Sequence, residues 1–230
     1  WVDAHIDTGA YLSRRSKGLL NNIGGVAGQY KTSSIATQMS FFFTNTMQTS
    51  PYRGFGRPEA TYVIERLIDQ AAKETGRDPL ALRQQNLIPA EAMPYQTALT
   101  FNYDSGNFPK IVATAAKNAD YAGFAKRRKK SEACGLLRGI GIANPIEVAG
   151  GPLKQLRKDV ARVTVRPDGQ IVIAPGLMSV GQGHETALAR MASKRLGVDL
   201  QDIIYQQGDT DLSPSGKGSG GSAATVIGGS

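Results

Sequence analysis

Cysteine is all but missing from this 230-residue chain, in which Cys134 stands alone. A lone thiol excludes an internal disulfide framework and suits a reducing compartment. It also excludes an iron–sulfur cluster ligated wholly by this chain, which needs about four such ligands. Histidine is nearly as scarce: His5 and His184 are too few for a self-contained zinc site. Any metal must therefore be held through an organic ligand or by groups on another segment. Long apolar runs are lacking as well, since the most apolar stretch, 171–180, is broken by Pro175 and Gly176 and is far too short to span a bilayer. No basic-then-apolar leader opens the chain, no Met begins it and no terminating element follows Gly228-Gly229-Ser230, so both ends are expected to be cut. There is no G-x-S-x-G elbow, and only the two histidines could serve Cys134, so esterase or protease chemistry is not expected.

What is present suffices for a folded body, because a hydrophobic content of 40% supplies one large core or two small ones. The formal charge of +8 invites a nucleic-acid reading. Five of the 27 basic residues, however, form the single run Lys126-Arg127-Arg128-Lys129-Lys130, and the remaining 22 nearly balance 19 acidic residues. No aromatic residues interleave with the run, which reads as a solvated face at a helix end.

Along the chain, residues 1–11 read as a strand and 32–46 as one or two buried strands. Ala60, Val63, Ile64, Leu67, Ile68, Ala71 and Ala72 recur at helical spacing, with Glu65, Arg66, Asp69, Gln70, Lys73 and Glu74 on the polar side. Pro58 and Glu59 suit that helix's first turn and Gly76 its stop. Further helices are expected over 78–86 and 107–118, and from Tyr121 into the basic run. Composition changes near residue 132. Residues 134–148 look strand-like, and two β-rich runs, 160–165 and 170–174, flank the hairpin signal Arg166-Pro167-Asp168-Gly169. A helix follows Gly181-Gln182-Gly183 with Leu188, Met191, Ala192 and Leu196 on one face, and 203–205 reads as a strand. The fold class is thus mixed α/β (α+β), with two subdomains of mixed sheets and packed helices, 1–132 and 133–230.

Three glycine-rich turns carry the chemistry. In PYRGFGRPEA at 51–60, Gly54 and Gly56 permit close backbone approach, the helix start offers amide donors, and Arg53 and Arg57 add cationic ones. The plainer account is a strand–helix turn with water-facing arginines. GQGHET at 181–186 opens a helix too, but Thr186 stands where a dinucleotide fingerprint wants Gly, and the preceding hairpin is not the opening strand of a βαβ unit. It reads as an anion-binding helix start, with His184 a hydrogen-bonding residue. GKGSGG at 216–221 has no strand before it and is either a flexible linker or truncated end, or a loop wrapping a polar ligand, with Ser219, Ser222 and Thr225 as donors. Asp209 and Asp211, flanking Thr210, read as turn chemistry.

In order, PYRGFGRPEATYVIERLID at 51–69, RDPLALRQQNLI at 77–88, RGIGIA at 138–143, GQGHETALARMASKRLGV at 181–198 and QGDTDLSPSGKGSGGSAAT at 207–225 resemble the molybdopterin-binding large subunit of the xanthine dehydrogenase and aldehyde oxidase family. The likeness is collinear over nearly the whole chain, in the manner of bacterial large subunits similar to the carbon monoxide dehydrogenase large chain. There the active-site loop carries a cysteine for copper where this chain has Phe55, so carbon monoxide chemistry is not implied. The resemblance implies a molybdenum–molybdopterin cofactor, in bacteria often the cytosine dinucleotide form, with iron–sulfur clusters and FAD on other domains or subunits. It places Arg53 and Gly54 beside the cofactor and Phe55 against a planar substrate. Gly181, Gln182 and Gly183 would contact the pterin, Gln182 serving catalysis by hydrogen-bonding to the metal's oxo group. Gly221 and Ser222 would line the cofactor and Ala223 the substrate pocket. The family reaction is hydroxylation of an aldehyde or N-heterocycle at an electron-poor carbon, in the cytoplasm, with iron–sulfur and flavin chains as partners. A cofactor-contacting Gly-Phe loop upstream and a basic glutamate beyond Ser230 are missing, so the fragment alone is expected to be inactive. No purine-orienting arginine stands near 19–23, which argues against xanthine as substrate. The rival classes are a non-catalytic phosphate- or nucleotide-binding module and a basic nucleic-acid binder acting through Lys126–Lys130.

Overall fold

Val2–Asp7 (β1) lies parallel to Thr37–Phe42 (β2), in register from Val2 opposite Thr37 to Asp7 opposite Phe42. The computed structural model describes residues 1–12, 23–147, 149–150, 159–216 and 218–229, so the expectations for 19–22, for Val148 and for Lys217 lie outside the described residues. The chain divides into two units, 1–147 and 148–230. The composition change near 132 coincides with the end of a helix at Glu132.

In the first unit, Arg57–Thr75 forms α1 and Pro79–Asn86 forms α2. A left-handed Gly76 ends α1, while the Asp78 carboxylate accepts from Ala81 N at 2.8 Å to cap α2. Tyr95–Gln96 (β3) pairs antiparallel with Asn102–Tyr103 (β4), and Phe108–Asn118 (α3) and Phe124–Glu132 (α4) follow. Val26, Tyr30, Ala60, Leu87, Ile88 and Phe101 are among its buried core residues. Three expectations fail here. Glu65 is buried whereas Leu67 is exposed, and the strand at 37–42 is only half-buried, with Phe42 and Phe43 exposed. Nor do residues 135–147 form a strand. Their carbonyls go to side chains instead: Ile142 O accepts from Arg83 and Pro145 O from Gln29.

Glu65 is buried because Arg83 meets it. The Arg83 guanidinium is fully buried; its Nε donates to Glu65 Oε2 at 2.8 Å and its Nη2 to Asp69 Oδ1 at 2.8 Å. The carbonyls of Glu65, Pro79 and Ile142 take further bonds from it. Tyr30 donates to Glu65 Oε1 at 2.7 Å and receives Asn144 Nδ2 at 3.0 Å. Burial alone would favour the neutral guanidine, but the bonds it donates to Glu65 and Asp69 outweigh it and hold the group charged. The network joins α1, α2 and the segment 142–144.

In the second unit, Ala161–Val165 (β5) and Ile171–Pro175 (β6) form the expected hairpin, Val165 facing Ile171. Ile203–Tyr205 (β7) then runs parallel to β6, Ile171 facing Ile203. His184–Leu196 (α5) connects them, so the segment is a βαβ crossover and the contrary expectation is corrected. β6 is the central strand and buried throughout, while β5 is an exposed edge. Leu188 is buried on α5, but Met191 and Leu196 are largely exposed. Ala224–Gly228 (α6) ends the described chain. No helix among the described residues is long and apolar enough to cross a membrane.

Candidate functional site

The two helix-opening loops behave differently. In the first unit, Gly54, Phe55 and Gly56 have successive φ values of 95°, 43° and 88°. A Cβ on Gly54 would stand 2.6 Å from the Pro58 ring, so the turn closes only around glycine. Phe55 has no such exemption, and an aromatic residue held at positive φ stores strain of about 1–3 kcal/mol. The helix start is a poorer anion cradle than its sequence promises. Arg57 N donates to Gly54 O at 3.2 Å, Pro58 has no N–H, and Arg57 Nη1 is paired with Glu147 Oε1 at 2.5 Å while its buried Nε has no hydrogen-bond partner. Arg53 remains exposed. Arg53 and Phe55 line one cleft of about 500 Å³, and sequence reasoning missed its other contributors, His5, Thr49 and Tyr52. β1 brings His5 there from far upstream, whereas Thr49 and Tyr52 stand beside Arg53 in the sequence. Asp7, also on the cleft, accepts from Thr44 Oγ1 at 2.6 Å and from Gly9 N at 2.7 Å, and these bonds lower its carboxyl below the ordinary value.

In the second unit the loop at the carboxyl end of β6 leads into α5, the position where open parallel sheets present ligand-binding backbone. Gly183, at φ 75°, caps α5 without a side-chain bond, and the first helical bond runs from Ala187 N to Gly183 O. The amides of His184, Glu185 and Thr186 are therefore left at an uncapped start. Nothing lies within 4 Å of the Cβ positions of Gly181 and Gly183, so that side of the loop is open. Gln182 is exposed; its carboxamide oxygen accepts from Val180 N at 2.6 Å and faces Ser179 Oγ at 3.4 Å. The oxygen thus braces the loop and the amino group is the end left to donate outward.

Gln207, which sequence reasoning also missed, holds Ser179 from both sides: its Oε1 accepts from Ser179 N at 2.8 Å and its Nε2 donates to Ser179 O at 3.3 Å. The glycine-rich tail is no free linker where it is described. Ser219 Oγ donates to Met178 O at 2.5 Å, Gly218 N to Gly176 O at 3.3 Å, and a Cβ on Gly216 would collide with the Gly176 backbone. Beyond it Gly221 and Ser222 both have positive φ, 63° and 55°, Ser222 O accepts from Gly150 N at 3.0 Å, and Ala223 is buried. Asp209 is a turn residue, its carboxylate accepting from Asp211 N at 2.9 Å. In the basic run, Arg127 pairs with Asp120 and Arg128 with Glu132 on an exposed helix. No group of three or more His, Cys, Asp or Glu side chains among the described residues could hold a metal ion.

Two family models, each described as a molybdopterin cofactor-binding domain, match the chain over residues 114–230 and 1–87. The chain is 32% identical over 228 residues to the 6-hydroxypseudooxynicotine dehydrogenase complex subunit gamma of Paenarthrobacter nicotinovorans, covering 96% of this chain and 28% of that protein. It is 35% identical over 184 residues to the carbon monoxide dehydrogenase large chain of Afipia carboxidovorans, covering 74% of this chain and 23% of that one. The crystal structure of quinoline 2-oxidoreductase from Pseudomonas putida 86 superposes with a TM-score of 0.86 at 28% identity, over 97% of this chain and 30% of that chain. The chain thus spans less than a third of the length of these relatives.

Proposed function

The chain belongs to the molybdopterin cofactor-binding domain family, and on that premise we propose that it forms cofactor and substrate-pocket walls of a molybdenum hydroxylase. The observation that carries the reading is the open loop before α5: three amide donors at an uncapped helix start, preceded by Gln182 with its carboxamide oxygen engaged and its amino group free to donate. Such a surface suits the oxygens of an anionic pterin cofactor. When bound, the molybdenum centre supplies the oxidising power for hydroxylation at an electron-poor carbon.

In this reading Gly181, Gln182 and Gly183 would hold the cofactor, with the Gln182 amino group as its side-chain hydrogen-bond donor. Arg53 and Gly54 lie beside the cofactor too, Arg53 as an exposed cation. Phe55, fixed at the tip of its turn, offers a flat face to a planar substrate. Gly221 and Ser222 contribute backbone to the cofactor and Ala223 an apolar wall to the substrate pocket. Residues 1–132 would be the C-terminal part of a first cofactor-binding subdomain and 133–230 the N-terminal part of a second. The substrate class is an aldehyde or N-heterocycle; a relative named quinoline 2-oxidoreductase supports the latter. The parent enzyme is cytoplasmic, carries the pterin in its cytosine dinucleotide form, and works with iron–sulfur and FAD domains or subunits. The relative named as a complex subunit supports that division of labour.

Elemental and pterin analysis tests the proposal. The parent enzyme should hold about one molybdenum and one molybdopterin per copy, and the 230-residue chain by itself no stoichiometric molybdenum and no hydroxylase activity. A parent enzyme without the pterin overturns the reading; a fully loaded, active isolated chain overturns its dependence on other segments.

A further inference from the structure

The sheet of the second unit ends on one side at β5. That strand pairs with β6, and no strand among the described residues lies along its other edge. The ladder shows which backbone groups face outward. Arg166 N donates to Gln170 O at 2.8 Å and Gly176 N to Val160 O at 2.6 Å, so the even-numbered residues of β5 are those that exchange bonds with β6. Pro175, which has no N–H, stands opposite Ala161, in agreement with that alternation. Ala161, Val163 and Val165 therefore turn their N–H and C=O groups away from the sheet.

The side chains leave this edge unprotected. All five residues of β5 are exposed although all five of β6 are buried, and Val163 and Val165, on one face, are 56% and 70% exposed. Free edges are normally blunted by lysine, by proline or by a bulge. β5 has none of these: its one charge is Arg162, and its register with β6 is unbroken from Ala161 to Val165.

We propose that β5 is a docking edge, to which an extended segment of the parent enzyme from outside these 230 residues adds as a further strand. This rests on the reading of the chain as part of a larger molybdopterin-binding protein. The relatives carry more than two thirds of their length outside the matched region, which is ample to supply a strand. A second copy of this chain is the poorer occupant, because a net charge of +8 opposes self-association. The incoming backbone meets Ala161, Val163 and Val165 at every second residue. Its side chains are apolar on the face of Val163 and Val165 and polar on the face of Arg162 and Thr164. Docking there braces the sheet whose central strand leads into the Gly181–Gly183 loop.

Residue-resolved amide hydrogen exchange, on the 230-residue chain and on the parent enzyme, tests the alternation. In the dilute isolated chain the amides of Ala161, Val163 and Val165 should exchange at least about a hundredfold faster than those of Arg162 and Thr164. In the parent enzyme the same three should slow by about a hundredfold or more, to the level of their neighbours. Val163→Pro removes an outward N–H and spares the bonds to β6. In the parent enzyme it should speed Ala161 and Val165 about tenfold or more while Arg162 and Thr164 stay protected. Fast exchange at the three positions in the wild-type parent overturns the inference. Protection of the three in the isolated chain does so too: if it grows with concentration a second copy covers the edge, and if not the chain covers it itself. Should Val163→Pro fail to fold, the wild-type parent still decides. Molybdopterin content of the same parent preparation keeps the two levels apart. A loaded parent with a fast-exchanging edge sinks this inference alone, and a protected edge in a parent without the pterin sinks the functional reading alone.

Discussion

Replacing Arg83 by Met should unfold the first unit more readily than any surface change in the chain. Arg83 is fully buried and Glu65 is 4% exposed, so the substitution leaves a carboxylate with no cation and no water to replace it. Tyr30 still donates to Glu65 Oε1, but Oε2 and the Ile142 carbonyl lose their donors, whereas Asp69 is open enough to be rehydrated. Removing one partner of such a buried pair costs about 3–5 kcal/mol. For a unit of this size that corresponds to a fall in Tm of roughly 10 °C. The partner substitution separates charge burial from packing. Glu65→Met combined with Arg83→Met removes both charges, and the double variant should recover at least half of the single variant's loss. Urea unfolding of the four chains gives the cycle, provided the m value is unchanged. A cost below about 1 kcal/mol for Arg83→Met, the range of exposed pairs, refutes the claim that the pair is dry. A double variant as unstable as the single one refutes the claim that the orphaned charge is the cause.

The two loops give sharper functional outcomes in the parent enzyme. Phe55→Leu keeps bulk but removes the flat face, so kcat/KM should fall more for aromatic substrates than for small aliphatic aldehydes; equal losses would make Phe55 packing only. Gln182→Ala removes a donor where charge develops, and turnover should drop roughly 10²–10³-fold with molybdenum retained. Because Gln182 also accepts from Val180 N, its loss should cost stability of about 0.5–1.5 kcal/mol, read as a small Tm shift. Near wild-type turnover with metal bound defeats the donor role.

Local signals carried the reading of α1: Pro58 and Glu59 at its start, Gly76 at its end and an apolar repeat between. The same repeat misplaced Glu65 and Leu67, because the residue that neutralises Glu65 is Arg83, 18 positions away, and no window of periodicity includes it. The hairpin β5–β6 was legible from its turn, whereas the parallel partner of β6 was not, since Ile203 lies a whole helix beyond Ile171. In the loops, the residue types Gly54, Gly181 and Gly183 showed where backbone could meet a ligand. What they could not show is how donors are spent. Arg57 goes to Glu147 and the Gln182 oxygen goes to its own loop, both settled by tertiary neighbours. In the tail, composition left a linker and a ligand-wrapping loop both open, and the close contact of Gly216 with Gly176 speaks against the free linker.

The mixed pairing of β6 also sets an order of assembly. Its antiparallel side closes over a five-residue turn, a local event that needs little loop entropy. Its parallel side cannot close until the loop and all of α5 have been threaded between Pro175 and Ile203 and the helix has docked. Gln207 reaches Ser179 only after that closure. The open loop at the head of α5 is therefore among the last features of its unit to acquire a shape, and a chain still on the ribosome, with 203–207 not yet emerged, has no formed surface there to receive a ligand.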